Sequence, residues 1–384
     1  MKALQTLRRL DWHLVLVVAT LGYVGCLFIH SATQDDVRFA HLAFKQALFL
    51  CIAGILGLVI VLVPYPRIMR RAWWLYVIAV TGLLLLPWLG VTINGATRWF
   101  RLPGFMVQPS EIAKLGLILA LAAWLRFRHN ASTFDGLLVP VLITAVPAVL
   151  VMRQPDLGSS LVFWPVLLAM CWVAGSSGRS LLILVVLGVV GLIAAYAFGM
   201  HEYQQHRVHA WLEHFTWDQV AVEHDPAVRE FLQGQAYQPW QSLIAIGSGG
   251  LSGFGIGEGP QSRYDFLPYR FDDYVFSVVA EETGLLGAAA LIGLYSVLIL
   301  GLLLIALRTR ERFGRLVVVG VAAMLGTQAL VHTAVCSWMV PATGLPLPLV
   351  SYGGSATLSA GIAVALALNV GARKEPVLGA DGFA

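Results

Sequence analysis

Residues 272–307 read DDYVFSVVAEETGLLGAAALIGLYSVLILGLLLIAL, and this stretch decides the class of protein. From Tyr274 onward it is almost continuously apolar over 34 residues. About 20 helical residues cross a hydrocarbon core roughly 30 Å thick, so this run is long enough to span a bilayer. Asp272 and Asp273 stand directly before it, and Glu281 and Glu282 follow within it. The stretch therefore predicts a transmembrane helix with a concentration of carboxylates at one end.

The whole chain has the composition of a membrane protein, since 58% of its 384 residues are hydrophobic and 12% are charged. Soluble domains carry about 25% charged residues, so a soluble fold is excluded. The first apolar run has the features of a signal peptide, but it is long and nine runs follow, so we expect a retained helix. We predict an all-α, polytopic integral membrane protein, one domain over residues 1–384, with about ten transmembrane helices near residues 12–31, 43–64, 72–90, 108–125, 136–151, 159–175, 180–198, 274–307, 316–339 and 351–371.

The distribution of Lys and Arg predicts the orientation of these helices. Alternate ends of the runs carry fifteen of the 25 basic residues, and by the positive-inside rule these ends are cytoplasmic. Only five of the 21 acidic residues fall on that side. An even number of spans places both termini there as well. The net charge of +4 thus reflects anchoring loops and gives no indication of nucleic-acid binding.

Most of the remaining polar residues lie in one large extracytoplasmic loop, residues 199–273, between the predicted helices 7 and 8. Loops of this length are usually functional, so we expect the functional site there. The segment YQQHRVHAWLEHF, residues 203–215, predicts an amphipathic helix on the outer membrane surface. The segment GSGGLSGFGIGEG, residues 247–259, predicts either a set of tight turns or a cradle of backbone N–H groups for an anion.

No metal site is predicted from sequence motifs. The segment HEYQQH, residues 201–206, is one residue too long for the HExxH zinc site, and its two histidines lie about 140° apart on a helix. The four cysteines lie singly inside apolar runs, which predicts small core side chains and neither a disulfide nor a thiolate site.

Several ionisable residues lie where a membrane makes them costly, by at least ~2.5 kcal/mol at mid-helix. Lys114 either pairs locally with Glu111 three residues earlier, or lines a water-filled cavity and faces a carboxylate from another segment. Asp156 is placed to cap the sixth predicted span, which does not exclude a role in a cavity. Arg98 lies beside aromatic residues and is either an interfacial anchor or a phosphate ligand.

The two adjacent aspartates also have two interpretations. Asp272 and Asp273 can cap the eighth predicted helix and complement its dipole, although one aspartate suffices for that. At 100° per residue, Asp273 heads a face of small residues that includes Ser277. Glu281 lies about 12 Å deeper along the helix. The set therefore suggests a site for carboxylate chemistry or cation binding where the helix meets the membrane surface.

Blocks of sequence along the chain resemble one family in the same order. They are NGATRWFRLPGFMVQPSEIAKL (94–115), QPDLGSSLVF (154–163), YQQHRV (203–208), WQSLIAIGSGGLSGFGIGEGPQS (240–262), FLPYRFDDYVFSVVAEETGLLG (266–287) and GLPLPLVSYGGSA (344–356). The pattern, which covers residues 10–371, resembles the SEDS proteins, the RodA and FtsW group of bacterial membrane glycosyltransferases that polymerise peptidoglycan from lipid II. The IAIGSGG and PQS…FLP segments and the short termini look more like RodA than FtsW.

The resemblance implies roles for particular residues. The family's catalytic aspartate falls on Asp273, and the residues of a substrate cavity fall on Lys114, Asp156, Arg98 and Arg207. We assign Glu281 and Gln241, which lie in matching blocks, to the same cavity. The chain departs from the family pattern at Tyr269, Phe271 and Asp272, where the family usually has Glu, His and Thr, and at Cys336, which lies where the family has an Asn-containing segment. Asp272 therefore stays an alternative base, and residues 215–236 match nothing in the family.

The resemblance implies polymerisation of lipid II into glycan strands at the outer face of the bacterial cytoplasmic membrane, during elongation and cell-shape maintenance. Asp273 is the expected general base. No metal ligands are predicted, and a divalent cation such as Mg²⁺ or Mn²⁺ between Asp273 and pyrophosphate is left open. The expected partners are lipid II, the growing glycan, a class B penicillin-binding protein and membrane proteins of the elongation complex. The alternatives are a lipid II transporter, a division-type FtsW polymerase and a non-catalytic scaffold.

Overall fold

The computed structural model describes residues 2–93, 96–127, 134–198, 202–215, 225–234 and 236–373. Each of the ten predicted apolar runs is a helix in this structure. In chain order the elements are α1 (Lys2–Arg8), α2 (Trp12–Thr33), α3 (Leu42–Leu62), α4 (Tyr65–Arg70), α5 (Ala72–Leu89), β1 (Val91–Ile93), β2 (Ala96–Leu102), β3 (Phe105–Val107), α6 (Pro109–Leu125), α7 (Phe134–Arg153), α8 (Leu157–Ala174), α9 (Gly178–Phe198), α10 (Glu202–His214), α11 (Pro226–Gln233), α12 (Tyr237–Ser248), α13 (Pro260–Arg263), α14 (Val275–Arg308), α15 (Arg312–Cys336) and α16 (Gly354–Ala372).

Within the described residues, eight helices are long and apolar enough to cross a membrane, namely α2, α3, α5, α7, α8, α14, α15 and α16. The other two predicted spans form shorter apolar helices. α6 has 17 residues and carries Glu111 and Lys114, and the apolar part of α9 is Gly178–Ala194. The polytopic helical class is therefore confirmed, whereas the count of ten spans stays a prediction.

One small sheet departs from the predicted all-α fold. Strands β1, β2 and β3 form an antiparallel sheet between α5 and α6, with Val91 opposite Trp99 and Phe100 opposite Val107. No strand was predicted in this segment, which shows no regular alternation of apolar and polar residues. Its structural consequence is to fix the backbone of Arg98 in β2.

The centre of the bundle is formed by α8, α15 and α16. More than half of the apolar window of each is buried inside the protein, at 56%, 61% and 67%, against 17% for α3. α15 packs against α6, α8, α14 and α16, and α16 lies along α3. The peripheral helices expose apolar side chains around most of their circumference, as helices in contact with lipid do.

The described part of the predicted external loop contains four helices, α10 to α13, and the helix predicted at residues 203–215 is confirmed as α10. This helix contributes Ala210 to a small apolar cluster together with Val228, Leu232 and Ala236. Trp338, from the turn after α15, closes the cluster. The packing fixes α10 against the end of α15. Its position at the membrane surface stays a prediction.

α14 is interrupted at Gly284, which has φ 64° and ψ −164°. The glycine-rich segment supplies the hydrogen bonds that the interruption frees. The N–H of Phe254 donates to the carbonyl of Glu281 at 3.2 Å, and the N–H of Gly255 donates to the carbonyl of Glu282 at 2.9 Å. These two N–H groups are thus engaged within the protein, which favours the tight-turn interpretation over an anion cradle at this point.

We expect Gly284→Ala to lower the free energy of unfolding by at least about 1–2 kcal/mol, because the left-handed region is unfavourable for a residue with a Cβ. A Cβ there would also lie 2.5 Å from the nitrogen of Gly253. Gly293→Ala is the matched control, since a Cβ at Gly293 in the same helix meets nothing within 4 Å. Thermal unfolding in detergent measures both variants. Equal stability of the two variants would contradict this account of the break.

Candidate active site

Asp273 lies in the turn that leads into α14 and is half-buried. A second segment, between α15 and α16, passes directly over it. A Cβ added to Gly344 of that segment would lie 3.5 Å from Oδ2 of Asp273. The Cys336 thiol, at the end of α15, lies 3.8 Å from the backbone carbonyl oxygen of Asp273. The ends of α14 and α15 together therefore fix the position of this carboxylate.

The charges of two arginines from distant parts of the chain act on the Asp273 carboxylate. Arg207 lies on α10 and donates to the carbonyl of Ala342 at 3.1 Å. Arg98 lies on β2 and binds the backbone carbonyls of Gln154, at 2.9 Å, and Pro155. Both guanidiniums act on the charge of the Asp273 carboxylate. Arg98 and Arg207 thus belong to the electrostatic surroundings of Asp273, and their role as substrate-cavity residues stays a prediction.

Asp156 joins the same site from the start of α8. Its Oδ1 accepts the N–H of Ser159 at 3.1 Å, so it caps the helix as predicted. Its Oδ2 accepts the side-chain amide of Gln108 at 3.0 Å, and it is 3% exposed. Its charge acts on Asp273, so the cap also belongs to the electrostatic surroundings of the site. Both interpretations of Asp156 are therefore compatible with its position.

The pKa values of the two aspartates are raised for the same main reason. Burial raises the pKa of Asp273, the Arg207 and Arg98 guanidiniums oppose that rise, and the Asp156 carboxylate adds to it. Burial and the neighbouring Asp273 carboxylate raise the pKa of Asp272 well above its usual range. The arginines act on Asp273, so of the two adjacent acids it is the one held closer to its ionised form.

No contact among the described residues joins Lys114 to Asp273. Its ammonium lies 2.6 Å from Oε1 of Glu111, and both side chains are almost completely buried. The local pair considered for this lysine is therefore the arrangement that the structure has. A carboxylate paired within one turn offsets part of the cost of burying the ammonium. A role for Lys114 in a substrate cavity stays a prediction.

No contact among the described residues joins Glu281 or Gln241 to the Asp273 carboxylate either. Glu281 is fully buried and accepts the N–H of Gln261 at 2.6 Å and the N–H of Ser262 at 3.2 Å. It thereby ties α14 to α13 below the glycine-rich segment. Gln241 is half-buried on α12. Their assignment to the substrate cavity stays a prediction.

Sequence reasoning missed the residues that hold the site together. Gln108 links the start of α6 to Asp156, and its N–H is bound by Ser355 at 3.0 Å. Ser351 donates its hydroxyl to the carbonyl of Asp272 at 2.6 Å, and the N–H of Tyr352 donates to the carbonyl of Phe271 at 2.9 Å. These bonds join sequence blocks more than 40 residues apart, so no local pattern predicts them. Their only signal is their presence in the QPSE and VSYGGS blocks.

The residues that depart from the family pattern line the rim beside Asp273. Tyr269 is 45% exposed. The ring of Phe271 packs between Phe39 and Tyr352, with centroid distances of 5.1 Å and 6.2 Å. The rim is therefore more aromatic than the family pattern implies.

Among the described residues, no group of three or more His, Cys, Asp or Glu side chains has the geometry of a metal site.

The fold and the site together define a polytopic membrane protein with a carboxylate at one end of its helices on which the charges of two arginines act. The family model for FtsW, RodA and SpoVE, described as cell cycle protein, matches residues 9–375. The chain belongs to this family, and the resemblance seen in the sequence is confirmed.

Individual relatives agree with this membership. A probable peptidoglycan glycosyltransferase FtsW from Alkalilimnicola ehrlichii is 34% identical over 94% of this chain and 89% of its own length. The peptidoglycan glycosyltransferase MrdB of Escherichia coli K12 is 34% identical over 94% of this chain and 93% of its own length. Because both are 34% identical to the chain, identity does not separate the two groups.

Solved structures agree as well. One comes from a peptidoglycan synthase complex that coordinates polymerization and crosslinking, with a TM-score of 0.77, 32% identity and coverage of 96% of this chain and 99% of the other. Rod shape determining protein RodA of Thermus thermophilus has a TM-score of 0.68, 32% identity and coverage of 94% and 96%. At this identity and coverage the likeness extends over the whole bundle and is not confined to one motif.

Two variants separate the capping role of Asp156 from its charge. We expect Asp156→Ala to lower the free energy of unfolding by about 1 kcal/mol, because the cap of α8 is lost. We expect Asp156→Asn to be close to wild type, because asparagine caps equally well. Thermal or chemical unfolding in detergent measures the difference. If the asparagine variant is as unstable as the alanine variant, the carboxylate charge stabilises the fold and the cap does not.

Proposed function

We propose that this chain is a peptidoglycan glycosyltransferase that polymerises lipid II into glycan strands, with Asp273 as the general base. The observation that carries the proposal is the convergence of Arg98, Arg207 and Asp156 on Asp273 in a member of this family. A base needs an ionised carboxylate and a path to its substrate. The two guanidiniums favour the ionised form, and Asp273 is only partly buried, which supports access.

The chemistry assigns separate tasks to these groups. Asp273 takes the proton from a sugar hydroxyl of the incoming lipid II while that oxygen attacks the anomeric carbon of the lipid-linked glycan chain. The bond from that carbon to the pyrophosphate oxygen breaks, and undecaprenyl pyrophosphate leaves with the bonding electron pair. Arg98 and Arg207, whose charges act on Asp273, stabilise the negative charge that develops on the leaving group. Asp156 and Gln108 hold the turn that Arg98 binds.

The orientation of the chain follows from its charges. The basic ends of the helices are cytoplasmic, so both termini are inside and Asp273 faces the outer side of the bacterial cytoplasmic membrane. Lipid II is polymerised on that outer side, which agrees with the position of the site. A divalent cation beside Asp273 and the pyrophosphate remains part of the proposal, with the carboxylates of Asp273 and Asp156 as the oxygen groups present.

We assign the activity to elongation and cell-shape maintenance, on the RodA-like segments of the sequence and the similarity to RodA of Thermus thermophilus. A class B penicillin-binding protein is the proposed partner, because one solved relative comes from a complex that coordinates polymerization and crosslinking. The exposed apolar surfaces of α14 offer area for a single partner helix.

A lipid transporter is less well supported by the geometry. Such a protein needs a polar route through the bundle. The charged residues expected along that route instead bind groups close to them. Lys114 forms an ion pair with Glu111, and Glu281 accepts a hydrogen bond from the backbone of α13. The Asp273 group is concentrated at one end of the helices, as a surface reaction requires.

We expect Asp273→Asn to reduce glycan synthesis by about 10²- to 10⁴-fold, the usual contribution of a general base. The assay is polymerisation of lipid II by the purified full-length protein, with its partner present and absent. Asp272→Asn is the discriminating variant and is expected to stay within about tenfold of wild type. Loss of synthesis in Asp272→Asn with retention in Asp273→Asn would transfer the role to Asp272. Lipid movement that survives Asp273→Asn, with no synthesis by wild type, would favour transport.

The pH dependence of the rate tests the electrostatic roles with a defined sign. Arg207→Gln removes a charge that lowers the pKa of Asp273, so the acid limb of the profile should move to higher pH. Asp156→Asn removes a charge that raises that pKa, so its acid limb should move to lower pH. The two shifts have opposite directions, which a general loss of folding does not produce. Shifts in the same direction would contradict the proposed arrangement.

A further inference from the structure

A groove of about 630 Å³ lies between α2 and α3, with α16 as its floor. It opens to the surface of the bundle, since Tyr23 on its edge is 67% exposed. The described residues that line it include no charged side chain. None of the side chains grouped around Asp273 reaches it, so it belongs to a separate part of the molecule.

One end of this groove, which we call the α2–α3 groove, lies beside basic residues. Leu7, Leu10 and Trp12 line one end, at the basic face of the protein. Arg8 and Arg9 lie between these lining residues in the chain, and both are exposed. Trp12 is 57% exposed and donates its indole N–H to the carbonyl of Leu7 at 3.2 Å. An exposed tryptophan beside two arginines is typical of a protein surface at the level of the lipid head groups.

The dimensions of the groove select its occupant. From Trp12 to Cys26 it follows 14 residues of α2, a length of ~21 Å, which exceeds the ~15 Å of half a hydrocarbon core. The lining is apolar along this whole length, as the environment of an acyl chain requires. A hydrocarbon chain fits.

We propose that the α2–α3 groove binds a phospholipid with an anionic head group. One acyl chain lies in the groove, and the head-group phosphate contacts Arg8 and Arg9. The apolar lining excludes a polar occupant, and the arginines at one end supply a charge that a neutral lipid does not match. This site does not rest on the proposed catalytic function, because it uses none of the same residues.

Native mass spectrometry of the full-length protein in detergent tests the proposal, with phosphatidylglycerol and phosphatidylcholine of identical chains as probes. We expect wild type to retain phosphatidylglycerol in preference to phosphatidylcholine by roughly 30-fold, the value for two basic residues at an anionic surface. In the double variant Arg8→Gln and Arg9→Gln, that preference should fall to about one. Both arginines are exposed, so the variant should fold.

A variant that fills the groove tests its location. A Cβ added to Gly54, on the wall of the groove, meets nothing within 4 Å, so Gly54→Phe should enter the groove without disturbing the bundle. We expect it to abolish retention of phosphatidylglycerol. Gly293→Phe is the matched control, because Gly293 on α14 is equally unobstructed but lies outside the groove, and it should bind lipid as wild type does.

The two cysteines of the groove give a second measurement. Cys26 and Cys51 line it, whereas Cys171 and Cys336 are buried. Bound phosphatidylglycerol should slow their reaction with an apolar thiol reagent, and phosphatidylcholine at the same concentration should not. Equal retention of the two lipids by wild type would overturn the proposal, as would retention of phosphatidylglycerol by Gly54→Phe. Displacement of the bound phospholipid by a polyprenyl pyrophosphate at equal concentration would assign the groove to a substrate chain instead.

Discussion

The candidate site depends on keeping the Asp273 carboxylate ionised although it is partly buried. Asp273 is half-buried just before a long apolar helix, and this burial favours its neutral form. Two guanidiniums oppose that tendency, and each is itself anchored to backbone carbonyls of another segment. The charge of Asp273 is therefore controlled by the relative positions of β2, α10 and the start of α14. A displacement of any of these elements changes the pKa of the carboxylate.

This arrangement explains why the polar parts of the chain are connected as they are. Asp156 caps α8 and binds Gln108 at the start of α6, so the turn that holds Arg98 is fixed from two sides. The segment between α15 and α16 crosses Asp273 and accepts the hydrogen bond of Arg207 through Ala342. The central helices α8, α15 and α16 are largely buried inside the bundle, and so is α6. The site is thus supported by the rigid core, whereas the peripheral helices contact lipid.

Much of the fold was predictable because a bilayer imposes strong constraints on sequence. Each predicted apolar run is a helix, since backbone groups in hydrocarbon must bond within their own segment. The sheet at residues 91–107 was missed because it lies outside that constraint. The break at Gly284 was also missed, because its hydrogen bonds come from the segment that contains Phe254 and Gly255. Only the tertiary structure shows that pairing.

The site was predictable in part, and the limit has a physical cause. Residue types and the resemblance pointed to Asp273, Arg98, Arg207 and Asp156, and the charges of the last three act on Asp273. Lys114 was given two alternatives, and its pairing with Glu111 follows from a spacing that the sequence contains. The role of Gln108 was not predictable, because an amide carries no charge to mark it. Its partner lies 48 residues away.

The central claim is that Arg207 helps to hold Asp273 in its ionised form, and infrared spectroscopy tests it most directly. The carboxyl stretching band of Asp273, identified by its loss in Asp273→Asn, is followed as a function of pH in wild type and in Arg207→Gln. The account predicts that the protonated band of Asp273 appears at a higher pH in Arg207→Gln than in wild type. A band that titrates at the same pH in both proteins, or at a lower pH in the variant, would contradict it.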